Sequence, residues 1–183
     1  MSAITEWDFS VLDVISGWRN DVLTPVMKAL SYAGTGGIIW IAVCILLIIY
    51  PKTRKIGIFA AAALTMEYLL GDLCIKNLVA RERPFVQHPW IDTIISHPSG
   101  YSFPSGHTAS AVSVTAAVFI QNKKLSIPFI VLAVSIMFSR LYFCVHFPTD
   151  ILFGIVHGVI WAVVTWLVIK TIAEKKDIKL LKK

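Results

Sequence analysis

Long apolar stretches alternate with short polar segments between residues 34 and 172. A helix needs about 20 mostly apolar residues to cross a bilayer. Five stretches approach or reach this length, at approximately 34–50, 57–79, 105–121, 125–145 and 149–172. The pattern therefore predicts an all-α fold, a polytopic transmembrane helix bundle of about five spans.

Residues 8–33 have a different pattern, in which apolar residues recur at three- and four-residue steps. These residues are Val11, Leu12, Ile15, Trp18, Val22, Val26 and Leu30. Charged and polar side chains separate them, which is typical of an amphipathic helix. We expect this helix to lie in the membrane interface, since the polar run WRND at 18–21 would be costly at mid-bilayer. The alternative is a sixth, poorly apolar span.

The composition excludes several classes of protein. Hydrophobic residues make up 56% of the 183 residues and charged residues 15%, whereas globular proteins contain about 25% charged residues. A soluble globule of this size lacks the core volume to bury so many large apolar side chains. A disordered tail and a charged nucleic-acid binder are also excluded. We expect a single integral-membrane domain over residues 1–183, with a helix at 8–33, a bundle at 34–172 and a basic tail at 173–183.

The basic residues predict how the bundle is oriented. Eleven of the 17 Lys and Arg lie in the turn at 51–55, the turn at 121–124 and the C-terminal part from Lys170 onward. With five spans these segments fall on one side, which the positive-inside rule assigns to the cytoplasm. We therefore expect a multi-pass protein of the cell membrane with a cytoplasmic C-terminus. The loop at 80–104 and the turn at 146–148 then face outward.

Other ionisable residues collect at the outward ends of the spans. They are the cations Lys76, Arg81, Arg83 and Arg140, together with His107, His146 and Asp150. A charge in such a position is costly unless it pairs or has a function. Lys and Arg suit phosphate oxygens, and histidine can act as a nucleophile or proton carrier near neutral pH. The pattern therefore indicates phosphoryl transfer at the outer surface.

Local spacing adds detail to this candidate site. Lys76 and Arg83 are seven residues apart, about two helical turns, so both can point to one side before Pro84 ends the helix. Asp150 follows His146 by four residues and can reach its ring. The spacing therefore predicts a helix face that carries two cations, and an imidazole oriented by a carboxylate.

The segment at 104–107 (PSGH) predicts a phosphate seat. Pro104 can open a helix, where its missing amide hydrogen costs nothing. Ser105 and Gly106 would then expose free backbone amides at the positive end of the helix, and Gly106 would permit close approach. His107 is adjacent to this seat.

Together these residues resemble the three-part signature of the type-2 phosphatidic acid phosphatases, a superfamily shared with vanadium haloperoxidases and bacterial acid phosphatases. The matching pieces are Lys76-(six residues)-Arg83-Pro84, Pro104-Ser105-Gly106-His107 and Ser139-Arg140-(five residues)-His146-(three residues)-Asp150. Each piece alone is weak. All three occur in order, each at the outer end of a span. The resemblance covers about residues 30–172.

The resemblance implies a two-step mechanism without metal or cofactor. His146 would attack phosphorus, Asp150 would hold the other ring nitrogen, and His107 would protonate the leaving oxygen and then activate water. The implied phosphate-binding residues are Lys76, Arg83, Ser105, Gly106, Ser139 and Arg140. For Ser139, helix packing without phosphate contact is an alternative.

The substrate implied is a membrane lipid phosphate or diphosphate, cleaved at the extracytoplasmic face. Undecaprenyl diphosphate is the first expectation, followed by phosphatidylglycerophosphate and phosphatidic acid. Two alternatives stay open: a non-catalytic lipid-phosphate binder and a vanadate-dependent oxidase in the same pocket. Oligomeric state is not predicted.

Further ionisable residues have open interpretations. Arg81 forms either a solvated pair with Glu82 or a contact to headgroups. Glu67 and His157 lie at similar predicted depths and either pair or remain neutral. Asp72 could orient Lys76 by an i,i+4 pair.

Overall fold

The computed structural model describes residues 3–175, apart from the side chains of residues 71, 72 and 175. Regular structure in this range is entirely helical. The α-helices are α1 (Ala3–Ser16), α2 (Leu23–Ala33), α3 (Ile38–Ile49), α4 (Arg54–Glu67), α5 (Leu73–Val79), α6 (Pro84–Gln87), α7 (Gly106–Gln121), α8 (Lys123–Tyr142) and α9 (Pro148–Lys175), with a 3₁₀ turn at Thr35–Gly37 and a π-helical turn at Tyr68–Asp72. Most of the predicted basic tail and the Asp72 side chain lie outside the described part.

Three helical stretches between residues 3 and 175 are long and apolar enough to cross a membrane: Arg54–Gln87, Lys123–Tyr142 and Pro148–Glu174. A fourth crossing results if α2 and Thr35–Ile49 act as one span, bent by 54°. Helix α7 has only 16 residues, about 24 Å at 1.5 Å per residue. The all-α class is confirmed, whereas the count of five spans and the interfacial N-terminal helix stay predictions.

The prediction of a single helix over 8–33 is wrong, because the chain forms α1 and α2 with a turn at 17–22. Asn20 makes the break. Its Oδ1 accepts hydrogen bonds from the backbone N–H groups of Val22 at 3.0 Å and Leu23 at 2.8 Å, which satisfies amides at the start of α2. Arg19 ties the turn to the bundle by donating to the Tyr142 carbonyl at 2.9 Å. The apolar periodicity continues across this turn, so hydrophobicity alone does not reveal it.

Helix α7 lies at the centre of the bundle, in contact with α4, α8 and α9. Its buried residues are mainly small: Thr108, Ala109, Ser110, Ala111, Ser113, Val114, Thr115, Ala117 and Val118. Some hydroxyls bond to their own helix, as Ser110 does to the Gly106 carbonyl at 2.7 Å and Ser113 to the Ser110 carbonyl at 3.0 Å. Small side chains let neighbouring backbones approach closely. This explains how a polar, short helix occupies the middle of the bundle.

Small residues on α9 allow it to pack tightly on α7. Gly154, Gly158 and Ala162 recur every four residues and so share one face. A Cβ added at Gly158 would lie 2.7 Å from the Ala109 carbonyl oxygen, and one at Gly154 would lie 3.1 Å from the Ser105 carbonyl oxygen. The glycines therefore bring the first turns of α7 and α9 side by side.

A sharp bend at Thr35–Gly37 joins α2 to α3. Gly36 and Gly37 have φ angles of 60° and 69°, in the left-handed region that favours glycine. Gly34, just before the bend, lies against α7, because an added Cβ would be 2.7 Å from Cδ2 of His107. The bend thus places the α2–α3 connection over the start of α7.

We expect Gly158→Ala to destabilise the bundle by about 1–3 kcal/mol, because the added methyl group overlaps the α7 backbone. The melting temperature of the protein in detergent measures this effect. Val159→Ala is the matched control, since the neighbouring Val159 is 41% exposed, and it should leave the melting temperature nearly unchanged. Equal melting temperatures for Gly158→Ala and wild type would contradict the close packing of α7 on α9.

Candidate active site

A cavity of about 680 Å³ lies at the end of the bundle where α7 begins. Its lining includes Lys76, Arg83, Gly106, His107, Arg140 and His146. These residues come from α5, the segment at 80–83, the first turn of α7, the last turn of α8 and the loop at 143–147. The structure therefore brings together at the cavity two imidazoles and three of the four cations that the sequence predicts at the outward ends of the spans; Arg81 is not in the lining.

His146 lies in the loop at 143–147, and its imidazole is almost fully buried. Its Nδ1 is 3.6 Å from Asp150 Oδ2, and its Nε2 is 3.2 Å from Arg83 Nη1. A guanidinium can only donate, so Nε2 is the unprotonated nitrogen and the Nδ1–H faces the carboxylate. His146 thus presents a lone pair beside a cation, as an attacking nucleophile requires.

Burial is the largest influence on His146 and lowers its pKa to about 3. The nearby Asp150 carboxylate raises this pKa, and the positive charge of Arg83 lowers it. The imidazole is therefore neutral near pH 7, and its Nε2 lone pair accepts the hydrogen bond from Arg83.

Asp150, in the first turn of α9, is fully buried. Its Oδ2 accepts hydrogen bonds from the Ser102 hydroxyl at 2.5 Å and the Phe147 N–H at 2.8 Å. Its Oδ1 accepts from Arg81 Nη1 at 2.7 Å. These contacts fix the rotation of the carboxylate, and the positive end of α9 favours its negative charge.

Arg83 is buried, and its guanidinium is oriented by backbone carbonyls and His146. Nε donates to the Gly100 carbonyl at 2.9 Å, Nη1 to the Val145 carbonyl at 2.8 Å, and Nη2 to the Ser99 carbonyl at 3.2 Å. These bonds hold the cation at the lining of the cavity.

Arg140 is the second buried arginine at the cavity. One Nη donates to the Ser31 hydroxyl of α2, and Nε has no hydrogen-bond partner among the described residues. Leaving a buried donor on a charged group unsatisfied is costly. An oxyanion in the cavity would supply an acceptor.

His107 follows Gly106 at the start of α7 and faces the α2 helix. Its Nε2 lies 3.2 Å from the Ser31 carbonyl oxygen. Because a carbonyl can only accept, Nε2 carries the proton. Ser31 therefore contacts both His107 and Arg140, and the sequence contains no pattern that would have identified it.

Two serines of the predicted phosphate site, both described in the structure, lie outside the cavity lining. The Ser105 hydroxyl accepts from Thr108 Oγ1 at 3.1 Å, and its backbone N–H donates to the Asp150 carbonyl at 3.3 Å. The expectation of a free Ser105 amide is wrong, because the packing of α7 beside α9 uses that donor. Ser139 donates to the Ile136 carbonyl at 2.6 Å within α8, which matches the packing alternative.

Lys76 and Arg83 line one cavity, but they do not share the helix that their spacing predicted. Helix α5 ends before Ala80, whose φ is 48°. Arg83 has an extended backbone, with φ −77° and ψ 158°, and Pro84 begins α6 rather than ending the preceding helix. Residues two apart in an extended chain point to the same side, so Arg81 and Arg83 both reach into the bundle.

Sequence analysis missed the role of Arg81 and Asp8. Arg81 forms ion pairs with Asp8 of α1 and with Asp150 of α9. Glu82, its predicted partner, is exposed. Asp8 and Arg81 are 73 positions apart, so no local spacing links them.

Two further ionisable residues, Glu67 and His157, are buried in the bundle. Glu67 is buried and lines the cavity. His157 Nε2 accepts a hydrogen bond from Trp161 Nε1 at 2.9 Å. The pairing of Glu67 with His157 stays a prediction.

Among the described side chains, no group of three or more His, Cys, Asp or Glu is placed to hold a metal ion. The ionisable side chains of the cavity are mainly cations and imidazoles, together with Glu67 and Tyr68. Such a set suits the oxygens of a phosphate group, especially where charge develops during transfer.

Comparison with known proteins identifies a family. Residues 55–174 match the family model of the PAP2 superfamily. The chain is 32% identical over 146 residues to undecaprenyl-diphosphatase BcrC of Bacillus subtilis, which covers 78% of this chain and 72% of the relative. It is 34% identical over 133 residues to decaprenylphosphoryl-5-phosphoribose phosphatase of Mycobacterium tuberculosis, with 72% of each chain covered.

A solved structure has the same fold. It is the crystal structure of a transmembrane PAP2-type phosphatidylglycerolphosphate phosphatase from Bacillus subtilis, with a TM-score of 0.74 and 25% identity. The alignment covers 96% of this chain and 88% of that chain.

We expect acid to destabilise the folded protein partly through His146. Its folded pKa of about 3 lies below the ordinary value of 6.5, so the unfolded chain binds the proton more readily and stability falls as pH drops below about 6.5. Between pH 6.5 and 5 this loss amounts to about 2 kcal/mol at 1.36 kcal/mol per pH unit.

His146→Gln should remove this part of the pH dependence, measured as the melting temperature in detergent across that range. His97→Gln is the control, because His97 is exposed and stacks on Phe85. It should keep the wild-type slope. An unchanged slope in His146→Gln would show that the neutral, buried imidazole is not a source of the acid sensitivity.

Proposed function

This chain belongs to the PAP2 superfamily and is a lipid phosphatase, and we propose that it cleaves undecaprenyl diphosphate through a phosphohistidine at His146. One observation carries the proposal. The His146 Nε2 lone pair lies beside Arg83 Nη1 at 3.2 Å in the cationic cavity, while Nδ1 faces the Asp150 carboxylate at 3.6 Å. A residue that only bound phosphate would need neither the lone pair nor the carboxylate.

In the first step, His146 Nε2 forms a bond to the terminal phosphorus as the phosphorus–oxygen bond to the lipid phosphate breaks. The ring becomes positively charged, and Asp150 stabilises that charge through Nδ1–H. His107, protonated on Nδ1 as well once the anionic substrate is bound, donates the Nδ1 proton to the leaving oxygen, while its Nε2–H stays on the Ser31 carbonyl. Lys76, Arg83 and Arg140 offset the charge on the transferring group.

In the second step, water attacks the phosphorus and the bond to His146 breaks. His107, now lacking the proton it gave away, accepts one from the water. Inorganic phosphate leaves, and both imidazoles return to their starting protonation states. The cycle balances without a metal or cofactor.

The proposed substrate is supported by the relatives and by the charge of the cavity. The names of the Bacillus and Mycobacterium relatives both specify a long polyprenyl lipid. Three cations line the cavity, which suits a diphosphate better than a single phosphate. Its volume of about 680 Å³ exceeds what one phosphate group needs, and leaves room for a second phosphate.

Phosphatidylglycerophosphate is the second candidate, supported by the solved structure with 25% identity. Phosphatidic acid would require the same chemistry. A non-catalytic lipid-phosphate binder is less consistent with the His146–Asp150 geometry, because binding alone needs only the cations.

We place the reaction at the extracytoplasmic face of the cell membrane. This proposal rests on the basic turns at 51–55 and 121–124, which lie at the end of the bundle opposite the cavity. The C-terminus would then be cytoplasmic.

We expect purified protein in detergent to release phosphate from undecaprenyl diphosphate faster than from phosphatidylglycerophosphate or phosphatidic acid. His146→Ala should lower the rate by roughly 1,000-fold or more, because it removes the nucleophile. EDTA should have no effect. Quenching wild type in alkaline detergent during turnover of a terminally ³²P-labelled diphosphate should leave label on the protein that is stable in base and lost in acid.

His97→Ala is the matched control and should retain the wild-type rate. Phosphate release that persists in His146→Ala would contradict the covalent mechanism, and loss of activity in EDTA would contradict a metal-independent one. Faster turnover of phosphatidylglycerophosphate would replace the first substrate by the second.

Sidedness is tested by cysteine labelling in intact cells. Cys74 is the exposed cysteine among the three, so Cys74→Ser provides the background. We expect a membrane-impermeant maleimide to label Ser96→Cys, in the loop beside the cavity, and to spare Lys52→Cys until the cells are opened. The reverse pattern would place the cavity on the cytoplasmic side.

A further inference from the structure

We propose that Asp8 and Arg81 are positioning residues, which hold the Asp150 carboxylate, and through it His146, from the N-terminal helix α1. The proposal rests on the proposed function of His146 and Asp150. It assigns a part in catalysis to a helix that contributes nothing to the cavity lining in the described structure.

Arg81 bridges two buried carboxylates. Its Nη2 lies 2.6 Å from Asp8 Oδ2, and its Nη1 lies 2.7 Å from Asp150 Oδ1. The Arg81 side chain is 18% exposed, and both carboxylates are fully buried. The guanidinium therefore makes one strong charge-assisted bond to each acid.

Besides pairing with Arg81, Asp8 binds the start of α9. Its Oδ1 accepts from the Thr149 N–H at 3.0 Å, and its Oδ2 accepts from the Thr149 hydroxyl at 2.6 Å. Arg81 Nη1 also lies 2.7 Å from the Thr149 oxygen. Because Thr149 directly precedes Asp150, these bonds fix the backbone as well as the side chain of the catalytic carboxylate.

Aromatic rings restrict the guanidinium from the side. The Arg81 Cζ lies 3.9 Å from the centre of the Phe147 ring, and Phe9 of α1 packs edge-on against that ring at 5.1 Å. Phe147 immediately follows His146. The assembly of α1, Arg81 and Phe147 therefore restrains the chain that directly follows the nucleophile.

The charges of Asp8, Arg81 and Asp150 support a role in positioning Asp150. Asp150 has to stabilise positive charge on His146, yet Arg81 also draws on its negative charge. Asp8 offsets the charge of Arg81, which leaves more of the Asp150 charge for His146. Burying two carboxylates and a guanidinium is a poor way to gain stability, since apolar residues of similar volume often do as well. Precise placement of a catalytic acid gives this arrangement a use.

The test compares Asp8→Asn and Arg81→Gln with Arg19→Gln. Arg19 also ties the N-terminal region to the end of α8, through the Tyr142 carbonyl and the Cys144 sulfur, but contacts neither Asp150 nor His146 in the described structure. Any loss of stability from loosening this region should therefore appear in all three variants.

We expect Asp8→Asn and Arg81→Gln to lower kcat by roughly 10- to 100-fold with KM within about 3-fold of wild type, the range of a positioning effect. Arg19→Gln should keep both constants. The double variant should lose clearly less kcat than the product of the two single losses, because Asp8 acts partly through Arg81 and partly through Thr149. Arg81→Lys should recover part of the rate, since it retains the charge without the two-pronged geometry.

A second measurement does not depend on the lipid. Orthovanadate can take five-coordinate geometry with a histidine nitrogen and so imitates phosphoryl transfer. Its dissociation constant, obtained from the shift in melting temperature with concentration, should rise at least 5-fold in Asp8→Asn and Arg81→Gln and stay at the wild-type value in Arg19→Gln. This pattern alongside no hydrolysis of the tested lipids would remove the proposed substrate and leave the present inference standing.

Several results would overturn the inference. One is a lower melting temperature in all three variants with kcat and vanadate binding near wild type. Another is a raised KM with unchanged kcat in Arg81→Gln, which would indicate a headgroup contact. Additive losses in the double variant would separate Asp8 from Arg81. Should Arg81→Gln fail to fold, the near-isosteric Asp8→Asn and the charge-retaining Arg81→Lys carry the same comparison.

Discussion

The cavity end of this bundle depends on one buried carboxylate, Asp150. It accepts bonds from Ser102, Phe147 and Arg81 and faces the His146 ring. A buried carboxylate without partners would become protonated. The cations and the helix end around it keep it charged, and the charged form is the one that can orient the imidazole.

Tight helix packing is what allows those partners to meet. His107 comes from α7, Asp150 from α9 and Arg140 from α8, so their positions depend on how closely the helices approach. Gly154 and Gly158 set the distance between α7 and α9, and the Ser105–Asp150 backbone hydrogen bond joins their first turns. Sub-ångström changes in this packing would move both imidazoles relative to each other.

Much of the bundle and of the cavity lining could be predicted from sequence, because the signals are local. Apolar length identifies helices, and the short spacing between His146 and Asp150 keeps them in contact. The sequence predictions that the structure contradicts failed for one physical reason, which is that tertiary contacts decide the conformation there. Asn20 accepts from the Leu23 N–H at the start of α2 and so allows a turn within an unbroken apolar pattern. Ala80 has a left-handed backbone conformation after α5 and before the two arginines, and the Ser105 amide donates to α9.

The same reasoning explains why Asp8 escaped prediction. On the sequence it is one of several charges on an amphipathic helix, and such a charge normally faces water. It is fully buried because Arg81 and Thr149 meet it there. A membrane enzyme has few places to put charge, since the bilayer penalises it on most of its surface. Charged residues that remain buried at the cavity end therefore have partners set by the tertiary fold, and a residue distant in sequence can support the reacting group as directly as a neighbour.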